Sequence, residues 1–107
     1  MPKPVGTCGA TKKKIMAIIC YNHENSRESY GYNIWQTLRD QFHTYIDDNE
    51  VRNVYTHLNG LCDLNLITRA DPQSGDLRCL YNMTDEGFAQ RGRYDQYLQI
   101  LHQELDS

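Results

Sequence analysis

The sequence predicts an α+β fold, mainly helical, in which three helices are followed by a β-hairpin and one last helix. Two observations carry this. Before residue 66, three segments repeat apolar residues at steps of three and four, the period of a half-buried helix. After Asn65 the period falls to two in two short runs, 66–70 and 77–83. Between them lies Asp71-Pro72-Gln73-Ser74-Gly75-Asp76, where Pro72 presets φ and Gly75 allows the chain to reverse. With 107 residues, 39% apolar and 23% charged, the chain reads as one globular unit rather than a disordered one.

Residues 1–10 hold two Pro and two Gly and are expected to form a flexible arm. Thr11 can cap a first helix to about Asn22, with Ile15, Ile18, Ile19 and Asn22 along one side. The polar stretch 23–29 breaks it. A second helix runs from Ser29 or Tyr30 to about Phe42 on Ile34, Trp35, Leu38 and Phe42, with Gly31 placed for close packing against a neighbour. The third begins near Val51, with Asp47 or Asp48 as cap and Glu50 in its first turn. Its apolar stripe is Val51, Val54, Tyr55, Leu58, Leu61 and Cys62; Arg52, Asn53, Thr56, Gly60 and Asp63 face the other way. Asn65 can end it in the left-handed conformation. Thr84 caps a last helix from Asp85 to about Leu105, interrupted only by the weak formers Gly87 and Gly92.

Three helices followed by a hairpin make a winged helix-turn-helix, here with an added C-terminal helix. In that arrangement the third helix enters the DNA major groove and the hairpin, the wing, touches the adjacent backbone. The expected division is a flexible arm 1–10, a winged helix 11–83 and a C-terminal dimerisation helix 84–107.

The net charge of −3 weighs against a strong non-specific nucleic-acid binder but does not exclude a reader with its cations gathered on one face. The four cysteines have no metal-knuckle spacing; Cys20 and Cys62 read as small buried hydrophobes, and Cys8 and Cys79 as the two that could sense redox. No apolar run is long enough to span a membrane, and no export signal is evident, which points to the cytoplasm and reduced thiols. His23, His43, His57 and His102 form no metalloprotease motif, and no nucleophile elbow or phosphate loop occurs. Adjacent carboxylates at Asp47-Asp48 and Asp85-Glu86 are explained by helix capping. Neither an enzyme nor a cofactor is implied.

Three stretches carry a resemblance to a family, the PadR-like transcriptional regulators. Gly31-Tyr32-Asn33-Ile34 with Leu38 resembles its G-Y-x-I-x-x-x-L. Val54-Tyr55-Thr56-His57-Leu58, then Leu61, Leu66 and Ile67, resembles its L-Y-x-x-L-x-x-L-x-x-x-G-L-I. Arg78-Cys79-Leu80-Tyr81-Asn82-Met83-Thr84-Asp85-Glu86-Gly87 resembles its R-K-Y-Y-x-L-T-E-E-G. The chain departs from the family pattern at Asn65 for Gly, Thr56 for a common Pro, and Cys79 for a basic wing residue. The resemblance implies a winged-helix repressor, and the short last helix resembles the branch that dimerises through a single C-terminal helix.

The expected function is therefore a homodimeric, sequence-specific regulator that binds double-stranded DNA. Arg52, Asn53 and Thr56 are placed to meet base edges and Tyr55 a phosphate. Lys12, Lys13, Lys14, Arg69 and Arg78 are expected on the DNA backbone. Tyr94, Leu98, Leu101 and Leu105, at near-heptad spacing, are the expected dimer seam. The resemblance also implies a pocket for a small aromatic effector, with Tyr30, Trp35, Tyr94 and Tyr97 as its candidate lining; the alternative is that these four are core and interface. The competing function is a winged-helix protein-docking module without DNA binding, which the acidic pI of about 5.7 would suit.

Overall fold

The computed structural model describes residues 10–42, 51–70 and 79–105. Residues 1–9, the capping acids Asp47, Asp48 and Glu50, the turn 71–76 and Arg78 lie outside the described residues. The elements run α1 (Ala10–Glu24), α2 (Gly31–Phe42), α3 (Val51–Asp63), β1 (Ile67–Ala70), β2 (Leu80–Met83), α4 (Asp85–Ala89) and α5 (Arg91–Leu105). This is the predicted order of three helices, hairpin and helix, with one difference at the end.

α1 starts at Ala10, so Thr11 is inside the helix rather than its cap, and it continues two residues beyond the expected end. Every residue from Ile15 to Tyr21 is buried. An amphipathic surface helix would alternate; α1 does not, because α2, α3, β2 and α5 all pack on it. It is the axle of the fold, and each fully buried aliphatic side chain on it contributes roughly 1.5–3 kcal/mol of apolar burial. α1 stops in a Schellman turn. Ser26 takes φ 58°, Arg27 N donates to Asn22 O at 2.7 Å, and Ser26 N donates to His23 O at 3.1 Å.

The loop that follows ties α1 to the hairpin. Ser29 is buried, its Oγ accepts from Asn22 Nδ2 at 2.9 Å, and its carbonyl accepts from Tyr81 N at 2.8 Å. α2 then begins with Asn33 reaching back: its Oδ1 accepts from Tyr30 N at 2.9 Å, the reciprocal half of a capping box. Gly31, Ile34, Trp35 and Leu38 form the buried side of α2, as the spacing predicts.

α3 buries Val54, Leu58 and Leu61 completely. Asn65 ends it at φ 61°, with Asn65 N donating to Cys62 O at 2.9 Å and Leu66 N to Leu61 O at 3.0 Å. That is a second Schellman turn, and it confirms the left-handed role expected of Asn65. β1 and β2 pair antiparallel with Ile67 opposite Met83 and Arg69 opposite Tyr81.

The last helix is two helices. Thr84 caps α4 through its Oγ1, which accepts from Gly87 N at 3.0 Å while donating to Asn65 O at 2.7 Å; Thr84 N donates to Leu66 O at 3.1 Å. α4 is thereby fixed to the end of α3. α5 must instead lie along α1, so the chain turns at Gln90, whose N donates to Gly87 O at 3.2 Å. The Gly87 carbonyl, freed from an uninterrupted helix, also accepts the Tyr94 hydroxyl at 3.2 Å.

α5 corrects one expectation. Tyr94, Leu98 and Leu101 are 0% exposed and belong to one core with α1 and α2. Three of the four residues read as a dimer seam are thus the face that α5 turns inward. The spacing identified an apolar stripe but could not say whether another chain or α1 covers it. Glu24 of α1 pairs with Arg91, the first residue of α5, at 3.3 Å and with His102 of its last turn at 3.2 Å.

Candidate nucleic-acid interface

α3 presents a polar front. Arg52, Asn53, Thr56 and Asn59 are exposed, opposite the buried Val54, Leu58 and Leu61. Thr56 Oγ1 donates to Arg52 O at 3.2 Å, within the helix. With that hydroxyl engaged, the group Thr56 chiefly has left to offer is its methyl. Asn59 was not among the expected contact residues. It follows Arg52 and Thr56 at the helical step of seven and three, so the periodicity that placed them places it too.

Tyr55 sits at the edge of this front and is 43% exposed. Its ring lies over Gly31, in space that a side chain at position 31 would fill. Gly31 therefore does what the sequence predicted: it lets α2 and α3 meet through the Tyr55 ring.

The three lysines of α1 do not act together. Consecutive helix positions point in different directions, and these three diverge. Lys12 reaches α3, with its Nζ 3.2 Å from His57 Nδ1 and its stem beside Gly60. For the ammonium to donate there, Nδ1 must be the unprotonated ring nitrogen. Lys13 turns to a cleft framed by α1, α4 and α5. Lys14 lies over the rings of Phe42 and Tyr97, 5.6 and 5.8 Å from their centroids. Of the run, only Lys12 joins α3, and the expectation for Lys13 and Lys14 is corrected accordingly.

Arg69 is exposed on β1, yet its charge reaches back to α3. Burial raises the Cys62 thiol and the Tyr81 phenol above their ordinary values, and the Arg69 guanidinium pulls both the other way. It borders an open cleft of about 490 Å³ between β1 and the end of α3, shared with Asn59 and Asp63. His57 and Gly60 bound the front of α3 on one side, Asn59 and Cys62 on the other. Lys12 and Arg69 thus stand on opposite flanks of the polar residues.

The four aromatic residues proposed as an effector lining do not surround a common space. Trp35 is buried under the Arg39 guanidinium, 4.7 Å from its ring, with Tyr32 tilted against it at 5.3 Å. Tyr94 is in the core, Tyr97 packs edge-on to Phe42 at 5.8 Å, and Tyr30 precedes α2. None of the four lines any of three clefts, of about 370, 300 and 490 Å³, among the described residues. Nor does any group of three or more His, Cys, Asp or Glu among them fit a metal ion. No helix there is long and apolar enough to cross a membrane.

Solved structures share this architecture. RosR of H. salinarum superposes with a TM-score of 0.60 at 17% identity, over 97% of this chain and 84% of that one. A PadR-like transcriptional regulator of Bacillus cereus superposes with a TM-score of 0.57 at 21% identity, over 91% of this chain. The chain has a PadR-like winged-helix fold. It spans about half of the B. cereus protein, 51% of its length. Neither the family models nor the curated proteins gave a match. In a winged-helix fold, β1 and β2 form the hairpin called the wing, directly after α3.

Proposed function

We propose that this chain is a sequence-specific DNA-binding transcriptional regulator that works as a homodimer, with α3 in the major groove. The observation that carries the reading is the front of α3. It offers a guanidinium, two carboxamides and a methyl-bearing Thr in one exposed patch beside the wing, with Lys12 and Arg69 on its flanks. Arg52 can pair with the O6 and N7 of guanine, and Asn53 or Asn59 with the N6 and N7 of adenine. Thr56 suits a thymine methyl. Tyr55, held at the α2–α3 edge, is placed for a phosphate, and Lys12 and Arg69 add affinity without sequence information. Repression rather than activation follows from the resemblance to the PadR-like regulators.

For the dimer, the buried side of α5 is already occupied, so the pairing surface is its outer side. Ile100 is 36% exposed there, a large apolar side chain left in water beside Gln96, Gln99 and Gln103.

The net charge of −3 favours the docking-module reading instead. Selection of bound fragments from a random duplex pool with the purified protein separates the two. A regulator enriches a roughly palindromic motif; a docking module enriches none.

A further inference from the structure

At the base of the wing, α1, α4 and α5 frame an open cleft of about 370 Å³. Its floor is aliphatic: Met16, Leu64, Leu66 and Ala89. Leu64 remains 38% exposed at the lip, a large apolar side chain with no cover. Three charged residues from three different helices line the same cleft: Lys13 of α1, Glu86 of α4 and Arg93 of α5. Among the described residues, none of the three makes an ion pair or a side-chain hydrogen bond. Arg91, two residues before Arg93, instead pairs with Glu24 and Asp95. An apolar floor of this volume with a few convergent polar groups is the usual composition of a small-molecule site.

The lining states what would fit. Two cations against one carboxylate leave a single positive charge, which a monoanion balances. A carboxylate accepts from an Arg fork through two parallel hydrogen bonds and from a Lys ammonium through one. Glu86 disfavours a second negative charge on the ligand. No aromatic side chain lines the cleft, so it has no stacking surface for a flat ring; Met16 and the leucines instead suit a flexible chain, and the thioether adapts to irregular shapes. We propose that this cleft binds a medium-chain aliphatic carboxylate. Its head lies between Lys13 and Arg93, and its chain over Met16, Leu64 and Leu66. The site is distinct from the front of α3 and stands whether or not α3 reads DNA. Leu64 and Leu66 flank Asn65, the left-handed residue from which the wing departs, so the ligand would rest against the wing's point of attachment.

The test uses the full chain, without DNA, and octanoate as probe. Calorimetry should give saturable binding, and the methyl signal of ¹³C-labelled Met16 should shift with the same midpoint. Octylamine, which carries the opposite charge on the same chain, should not compete. Lys13→Gln with Arg93→Gln should weaken octanoate by about tenfold or more, a loss of at least about 1.4 kcal/mol. Glu86→Gln, at an exposed position, should bind octanoate as well or better, which separates lost binding from lost folding. The proposal is overturned by absent saturation, by a Met16 methyl that does not move, by octylamine binding as well as octanoate, or by benzoate binding tighter than octanoate.

Discussion

The backbone of Gly87 in α4 rests against the carbonyl oxygen of Leu66, the residue after the turn that ends α3. A Cβ at position 87 would meet that oxygen and the Met83 Cε. The same junction carries the Thr84 hydrogen bonds to Asn65 and Leu66, so the oxygen has nowhere to go. Gly31 also has a neighbour inside Cβ range, but there it is the outer end of the Tyr55 ring, which is partly exposed and free to swing aside. The two glycines should therefore respond differently. Gly87→Ala is expected to cost about 1–3 kcal/mol as overpacking against backbone. Gly31→Ala should change stability by less than about 1 kcal/mol, because the gain in helix propensity offsets the displaced ring. Urea melts of both variants check this; equal losses would mean that Tyr55 is held as firmly as the wing junction.

The inward face of α5 gives a second contrast. Leu98→Asp and Leu101→Asp place a carboxylate in a site with no access to water, and even Leu→Ala there should cost about 2–5 kcal/mol. These variants are expected to unfold the chain rather than to release folded monomers. Ile100→Asp with Gln103→Asp acts on the outer face and should leave the fold intact. If the homodimer pairs through that face, sedimentation of the second pair gives folded monomers. A well-folded dimer in that variant would place the pairing surface elsewhere.

Local chemistry was legible in the sequence where one residue type answers one backbone demand. Asn65 announced the left-handed turn, Thr84 the cap of α4, and Gly31 a close helix contact. The polar front of α3 followed from its period alone. What the period could not supply was the identity of the neighbour. The stripe of Tyr94, Leu98 and Leu101 is equally apolar whether α1 or a second chain covers it. The run of three lysines looked like a patch, yet a helix sends consecutive side chains apart: Lys12 faces α3, Lys13 an open cleft and Lys14 the Phe42 and Tyr97 rings. The break at Gln90 was hidden because it is imposed from outside: α4 is tied to Asn65 and Leu66, and α5 to α1. Gly87 read as a weak helix former, when its missing side chain is the room that the Leu66 carbonyl occupies.

Alkaline pH should loosen the α1–α5 packing. Burial, first among the causes, raises the Tyr94 phenol and the Cys20 thiol beside it above their ordinary values of 10.0 and 9.0. Below about pH 8 both groups are protonated in the folded and unfolded chain alike, and they add no pH dependence. Above that, the unfolded chain gives up protons that the folded chain retains, so stability falls as pH rises, by up to about 1.4 kcal/mol per pH unit for each group. Tyr94→Phe forfeits the hydrogen bond to the Gly87 carbonyl, worth about 1 kcal/mol, but removes one of the titrating groups. Its stability should start lower near pH 8 and decline less steeply toward pH 10.5, as read from denaturant midpoints. A slope identical to that of the unsubstituted chain would show that the phenol stays protonated in neither state's favour.

Lys12 and Lys14, two positions apart in one helix, should separate in DNA binding. On a duplex selected by this protein, Arg52→Ala is expected to cost about 1–3 kcal/mol per half-site and to relax the preference at one base pair, because it removes a base contact. Lys12→Ala should weaken all sequences alike and reduce the slope of log affinity against log salt by about 0.9, the loss of one phosphate neutralised. Lys14→Ala should leave that slope unchanged. Its ammonium lies over Phe42 and Tyr97, so its removal is felt as about 0.5–1 kcal/mol of stability and not as binding. Fluorescence anisotropy across a salt series reads all three, with melts run alongside. Equal salt slopes for Lys12→Ala and Lys14→Ala would mean that the α1 lysines act as the undivided patch their sequence resembles. Unchanged affinity on joint replacement of Arg52, Asn53 and Thr56 by Ala would remove α3 from the DNA altogether and leave the docking module as the reading of its polar front.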